Sequence, residues 1–203
     1  MKALILAAIR CSLIFTAVTA SLFSVRPAQA GYIVTLQQVG SNVVANGSGA
    51  FDLTGLNFGI TLTNGQALIV ANEAQIFTGP TSLTSFDLYD GLSGPTAFGT
   101  GFVKFANSGS GDLVGIGAFE LLIVPNGYIS GNPLSDNMTF NNATFASLGL
   151  TPGTYVWTWG TGLPNQNFTL IIGGAGVPDG GSTVSLLGCA LLGLAALRRK
   201  LSC

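Results

Sequence analysis

The chain is apolar and basic at both ends, and this partition limits what part of its 203 residues can fold as a unit. Residues 1–30 carry Lys2, Arg10 and Arg26, a formal +3; residues 177–203 carry Asp179 against Arg198, Arg199 and Lys200, a formal +2. Between them, residues 31–176 hold Asp52, Glu73, Asp87, Asp90, Asp112, Glu120 and Asp136 against Lys104 alone, a formal −6. A body of this length is one domain, able to bury about two-thirds of the surface its unfolded chain exposes. Its composition removes whole classes of chemistry. The chain has no His, which excludes serine–histidine and cysteine–histidine catalysis and any His-containing zinc site. Cys11, Cys189 and Cys203 all lie outside the body, which therefore has no disulfide, thiolate nucleophile or cysteine metal site. An anionic body with one basic residue cannot displace counterions from a phosphate backbone, so nucleic acid is excluded as a partner. Nothing in the sequence calls for a cofactor.

At the N-terminus, Lys2 and Arg10 precede an uncharged run, Cys11–Phe23, and then Val25-Arg26-Pro27-Ala28-Gln29-Ala30. A basic start, a short apolar stretch, a proline and small residues at the last and third-last positions form a secretory signal. Ala28 and Ala30 suit the shallow pockets of a signal peptidase, which places the cut between Ala30 and Gly31. Arg10 divides the apolar run, and neither part reaches the roughly 20 residues a spanning helix needs.

The C-terminal segment has three parts in order. Val177-Pro178-Asp179-Gly180-Gly181 keeps the backbone extended and accessible. Residues 182–197 are helical in composition, with Ser182 or Thr183 as cap, and measure about 24 Å as a helix. That is short for a stable span. Arg198-Arg199-Lys200 then holds the end on the cytoplasmic side. This segment resembles the PEP-CTERM sorting signals of Gram-negative bacteria, in the variant that begins Val-Pro-Asp-Ser-Gly. Gly180 stands where that variant has serine, Asp179 stands where the main family has glutamate, and Leu201-Ser202-Cys203 follows the basic cluster. The resemblance implies a transient membrane anchor, recognised and removed by an exosortase, a membrane-embedded transpeptidase.

Between the ends, short β-rich runs alternate with Gly, Asn, Ser and Pro clusters. The expected strands are 32–39, 49–53, 58–62, 66–70, 82–89, 101–105, 113–124, 137–140, 154–159 and 167–172. Period-two alternation is clean in Tyr32-Ile33-Val34-Thr35-Leu36 and Phe168-Thr169-Leu170-Ile171-Ile172. With Asn46-Gly47, Asp90-Gly91 and Asn126-Gly127 as turn signals, the pattern predicts an all-β fold, an antiparallel β-sandwich or jelly roll over 31–172. Gly173-Gly174-Ala175-Gly176 reads as a flexible linker. The body is also similar to the glycine- and asparagine-rich exported domains that precede such tails. Ser93-Gly94-Pro95 with Phe98-Gly99, Thr144–Leu148, Thr151–Tyr155 and Trp157-Thr158-Trp159-Gly160 carry this similarity, which implies no catalytic residues.

Two constellations are candidates for binding. Tyr155, Trp157 and Trp159 share one face of a strand, a row suited to stacking sugar rings. The plainer reading, that the row faces the core, is preferred because aromatic side chains dominate cores. Asp87, Asp90 and Asp112 could offer hard oxygen ligands to calcium, although their spacing fits no calcium loop and turn-forming aspartates explain it more simply. Glu73 and Glu120 are the body's only glutamates, and nothing in the sequence aims them at a shared bond. The expectation is therefore an exported, non-catalytic protein. It would pause in the inner membrane and then serve structurally or adhesively in a surface exopolysaccharide layer. The alternative is a secreted, lectin-like carbohydrate-binding module, calcium-assisted or not.

Overall fold

A computed structural model describes residues 31–173. The expected signal with Ala28 and Ala30, residues 174–176 of the linker, the motif 177–181, the helix 182–197 and Arg198–Lys200 lie outside the described residues. The elements are, in chain order, β1 (Tyr32–Val39), β2 (Asn42–Gly49), β3 (Asn57–Gly65), β4 (Leu68–Val70), a 3-10 turn η1 (Ala71–Glu73), β5 (Gln75–Thr78), β6 (Thr84–Asp90), β7 (Lys104–Phe105), β8 (Ser108–Gly111), β9 (Val114–Gly117), β10 (Leu121–Pro125), β11 (Leu134–Phe140), β12 (Gly153–Thr158) and β13 (Asn167–Ile172). They form a six-stranded sheet, β12-β13-β1-β2-β11-β8, and a seven-stranded sheet, β3-β6-β10-β9-β5-β4-β7.

The all-β expectation holds for the described residues, and the two sheets share one core. Alternation decides which residues enter it. Tyr32, Val34 and Leu36 of β1, Val43 and Ala45 of β2, Met138 and Phe140 of β11, and Phe168, Leu170 and Ile172 of β13 point inward from the first sheet. Ile76, Val114, Ile116, Leu122 and Val124 meet them from the second. The next residues along, Phe77 and Ile123, turn to the opposite face and join Phe86 and Leu113 in a second, smaller apolar cluster.

One pair departs from a fully antiparallel arrangement. β1 and β13 run parallel, from Tyr32 beside Phe168 to Leu36 beside Ile172, in the middle of the six-stranded sheet. The run 113–124 is two strands rather than one, folded back at Ala118–Glu120 so that Leu121 pairs with Gly117. Three strands, β2, β5 and β8, are not legible as such, and the expected strand 49–53 does not form: Gly49 ends β2 and residues 50–53 are irregular. The expected turn at Asn46-Gly47 lies inside β2, and the glycine there serves close approach. A Cβ on Gly47 would stand 2.5 Å from Asp136 Oδ1 and 2.6 Å from Tyr32 Oη.

That crowding marks a polar link between the sheets. Asp136 of β11 is buried, and its Oδ2 accepts hydrogen bonds from Tyr32 Oη at 2.5 Å and from Thr78 Oγ1 of β5 at 2.6 Å. Thr78 Oγ1 also reaches the Val114 carbonyl of β9 at 3.1 Å. Asp136 Oδ1 has no partner. Burial pushes the Asp136 carboxyl up to about 6, although the hydroxyls of Thr78 and Tyr32 favour its charged form. Burial, with the carboxyl beside it, pushes the Tyr32 phenol far above the ordinary tyrosine range.

The folded carboxyl thus binds its proton more tightly than the unfolded one. Its contribution to stability is complete below the ordinary value of 3.8 and is lost as pH rises through about 6. From this group the fold should lose about 3 kcal/mol between pH 3.5 and pH 7. Asp52, held below its ordinary value by hydrogen bonds from Thr54, loses its contribution only at lower pH. Thermal melts followed by circular dichroism should show the fall, and Asp136→Asn should flatten it. An unchanged slope in Asp136→Asn would assign the pH dependence to other groups.

Candidate functional site

The αL conformation is costly for residues with a Cβ, and roughly 1–2 kcal/mol each is a fair scale. Five non-glycine described residues adopt positive φ: Ala74, Phe119, Glu120, Asn142 and Asn165. The two asparagines are ordinary for such backbone. The other three converge on one cleft of about 570 Å³.

Its walls come from three places in the chain. The first is η1 with the residue that ends it: Ala74, at φ 52°, donates its N–H back to Ala71 O at 3.4 Å. The turn is held from outside, because Asn72 N–H donates to Gly101 O at 3.0 Å and Phe98 N–H to Ala71 O at 2.9 Å. The second wall is the β9–β10 loop, where Phe119 and Glu120 stand at φ 64° and 59°. Two consecutive left-handed residues in a tight hairpin call for Asn-Gly; this chain places Phe-Glu there. Phe119 is 93 % exposed. The third wall is Pro95-Thr96, and Ile116 and Trp157 line the bottom. Asn72 Oδ1 is buried and accepts no hydrogen bond. Glu73 is exposed and Glu120 half-buried. The cleft therefore offers acceptors, an aromatic face, and no basic side chain among its lining residues.

Of the candidate residues singled out in the sequence, Trp157, Glu73 and Glu120 line this cleft and the others lie elsewhere; the aromatic row takes the preferred core position, and the alternative of a sugar-stacking face does not hold. Trp157 is fully buried and Trp159 is 5 % exposed. Trp157 packs edge-on against Phe168 at 5.8 Å and Phe98 at 6.5 Å; Trp159 lies 5.8 Å from Phe51. Their indole N–H groups donate inward, to Pro95 O at 3.0 Å and Asp52 O at 2.8 Å. A Cβ on Gly94 would stand 2.4 Å from Trp157 Cδ1, so the Ser93-Gly94-Pro95 segment seals that ring. Tyr155 is half-buried against Phe98, its hydroxyl donating to Thr151 O at 3.0 Å. The row is core, with Val156 turned outward, and has no free ring faces for a sugar.

Nor does the structure assemble the three aspartates. Burial raises the Asp87 carboxyl, but Thr61 Oγ1 at 2.6 Å, Asn126 Nδ2 at 2.9 Å and Gly127 N–H at 2.9 Å outweigh it and hold the group below its ordinary value. Asp90 accepts from Asn57 Nδ2 and Asp112 from Ser135 N–H, each at 2.8 Å. Each serves its own turn or strand end. Among the described residues there is no group of three His, Cys, Asp or Glu placed to hold a metal.

The body's only glutamates, Glu73 and Glu120, both line this cleft, but the sequence does not announce their convergence: Phe119 and Glu120 fall in an apolar run where no residue signals a turn.

Comparison with known proteins bears on the tail. The family model VPDSG-CTERM motif matches residues 176–201. The chain thus carries a PEP-CTERM-like C-terminal sorting motif, which implies export and processing by an exosortase-like membrane enzyme. No curated protein and no solved structure matches the chain.

Two stability measurements check this account of the site. Trp157→Ala should cost about 3–5 kcal/mol in denaturant unfolding, as a buried aromatic does; a loss under 1 kcal/mol would mean the ring is not packed. Replacing Phe119-Glu120 by Asn-Gly should stabilise by about 1–2 kcal/mol, by relieving two left-handed backbones. A decrease would show that the loop is unstrained.

Proposed function

We propose that the body is a non-catalytic structural or adhesive protein of the exopolysaccharide layer. It is delivered there by cleavage of its signal after Ala30 and by exosortase processing within the tail. The observation that carries this reading is the sorting motif at residues 176–201, which begins only a few residues after the last strand ends at Ile172. A motif so close to the fold makes the body the cargo and the tail its address.

Three features of the body support a structural role. It has no His or Cys, so the commonest nucleophiles and proton carriers are missing. Only 7 % of the chain is charged, so its solvation relies little on ionised side chains. β3, at one edge of the seven-stranded sheet, is nine residues long without charge or proline, and only two register shifts in its pairing with β6 interrupt that edge. Such a protein tolerates a crowded, hydrated polysaccharide and has the means to associate laterally.

Intact-mass measurement of the protein from whole cells and from medium tests the reading. The medium form should begin at Gly31 and lack the apolar and basic residues that follow the motif. Pro178→Ala with Asp179→Ala should move the protein from medium to the membrane fraction, and deletion of the whole gene should weaken matrix cohesion. A medium form that retains residues 177–203 would overturn the sorting mechanism.

A further inference from the structure

We propose that the cleft between η1, the 118–120 loop and Pro95-Thr96 binds a neutral pyranose unit of a glycan. This rests on the reading above, which puts the body among polysaccharides, and it assigns a site to that contact.

The β9–β10 loop forgoes the residues its backbone favours. A three-residue connection with left-handed second and third residues is most stable with small, permissive residues. Here the loop bears Phe119 and Glu120 at φ 64° and 59° and leaves the Phe119 ring 93 % exposed. Strain and apolar exposure coincide at one tip, beside another αL residue, Ala74. Strained backbone of this kind persists where a function uses it. The hairpin is stiff, since β9 and β10 are each paired on both sides, with β5 and β6 respectively. An aromatic ring projected from a stiff base is a platform for the C–H face of a pyranose.

Hydrogen bonding points to the same ligand. Asn72 is half-buried in the cleft wall; its Oδ1 is closed off without a hydrogen-bond partner, and its side-chain amide adds polar capacity to the wall. Glu73 and Glu120 add carboxylate acceptors, and Thr96 adds a hydroxyl that both donates and accepts. Sugar hydroxyls supply donors in this density, and carboxylate–hydroxyl bonds are among the stronger ones.

Charge and size narrow the ligand further. Two carboxylates with no basic residue among the lining side chains repel uronates, sulfated sugars and phosphates. A volume of about 570 Å³ falls in the range of small-ligand sites, about 300–1,000 Å³. It accommodates one or two sugar rings rather than a long chain.

Binding of the secreted protein to neutral hexose oligosaccharides (gluco-, galacto- and manno-oligomers) measured by calorimetry tests this. Uronate oligomers, glucosamine oligomers and calcium chloride serve as comparison probes. At least one neutral oligomer should bind, and uronate should not. The Phe119→Asn, Glu120→Gly variant should bind at least about tenfold more weakly, as expected for a lost stacking contact and one lost charged hydrogen bond, while melting at a higher temperature than the parent. Asn72→Ala should weaken binding independently, with the same unfolding cooperativity. The proposal is overturned if no neutral oligomer binds, if only uronate, glucosamine oligomers or calcium bind, or if binding survives in both variants. Any of those results alongside loss of matrix cohesion on deletion would reject this site and leave the structural role standing. A secreted form that keeps its tail would reject the sorting mechanism, whatever the cleft binds.

Discussion

The two sheets are joined through a carboxylate that neither layer can solvate by itself. Asp136 is placed by β11 into the space between layers, where Tyr32 from the same sheet and Thr78 from the other direct their hydroxyls at one of its oxygens. Burying such a group among apolar side chains is unfavourable unless it is well bonded, and here the second oxygen has no partner. The molecule eases the tension by holding the proton more firmly, so that the two forms balance at about pH 6 rather than in the ordinary carboxylate range. What it gains is geometric definition. Apolar contacts between sheets are tolerant of sliding, whereas two short hydrogen bonds to one atom fix how β1, β11 and β5 face one another. The same demand explains the glycine in β2, since any side chain at Gly47 would occupy the carboxylate's place.

The cleft answers to a different balance. Around Asp136 every neighbour is chosen to satisfy the core, as are the indoles of Trp157 and Trp159, whose N–H groups both find carbonyls. At the β9–β10 loop the choice runs the other way: a left-handed backbone is filled by the residues least suited to it, and a ring is left in solvent. Local preference and global fold agree nearly everywhere in this body, so the place where they part is where selection for something other than folding is best sought.

How far the sequence spoke can be read from particular residues. β1 and β13 were legible because their alternation is unbroken and their ends are marked by Gly or Asn. The tail was legible because its parts are linear and ordered, and linear order is what a sequence preserves. Alternation put Tyr155, Trp157 and Trp159 on one face, but a period of two cannot say which face is covered; that depends on the loop carrying Gly94 and Pro95. β2 was hidden by Asn46-Gly47, a pair that ordinarily turns the chain and here serves packing against Asp136. The hairpin at Ala118–Glu120 was hidden for the opposite reason, since it has none of the residues that signal a turn. The cleft could not be read at all, being assembled from three segments distant in sequence that meet through sheet pairing and through loop hydrogen bonds such as Phe98 N–H to Ala71 O.

The parallel pairing of β1 with β13 has a consequence for biogenesis. The first strand to emerge on the far side of a membrane is flanked in the finished sheet by β2 and by the last strand. Until residues 167–172 have crossed, one margin of β1 offers unsatisfied amides and carbonyls to any neighbouring chain. Closure of the sheet therefore waits until almost the entire body has been threaded through. Were the tail to pause in the membrane just behind β13, as proposed above, it would hold the vacant slot and the strand that fills it together at high effective concentration. The tether would then act as a folding aid before it acts as a label.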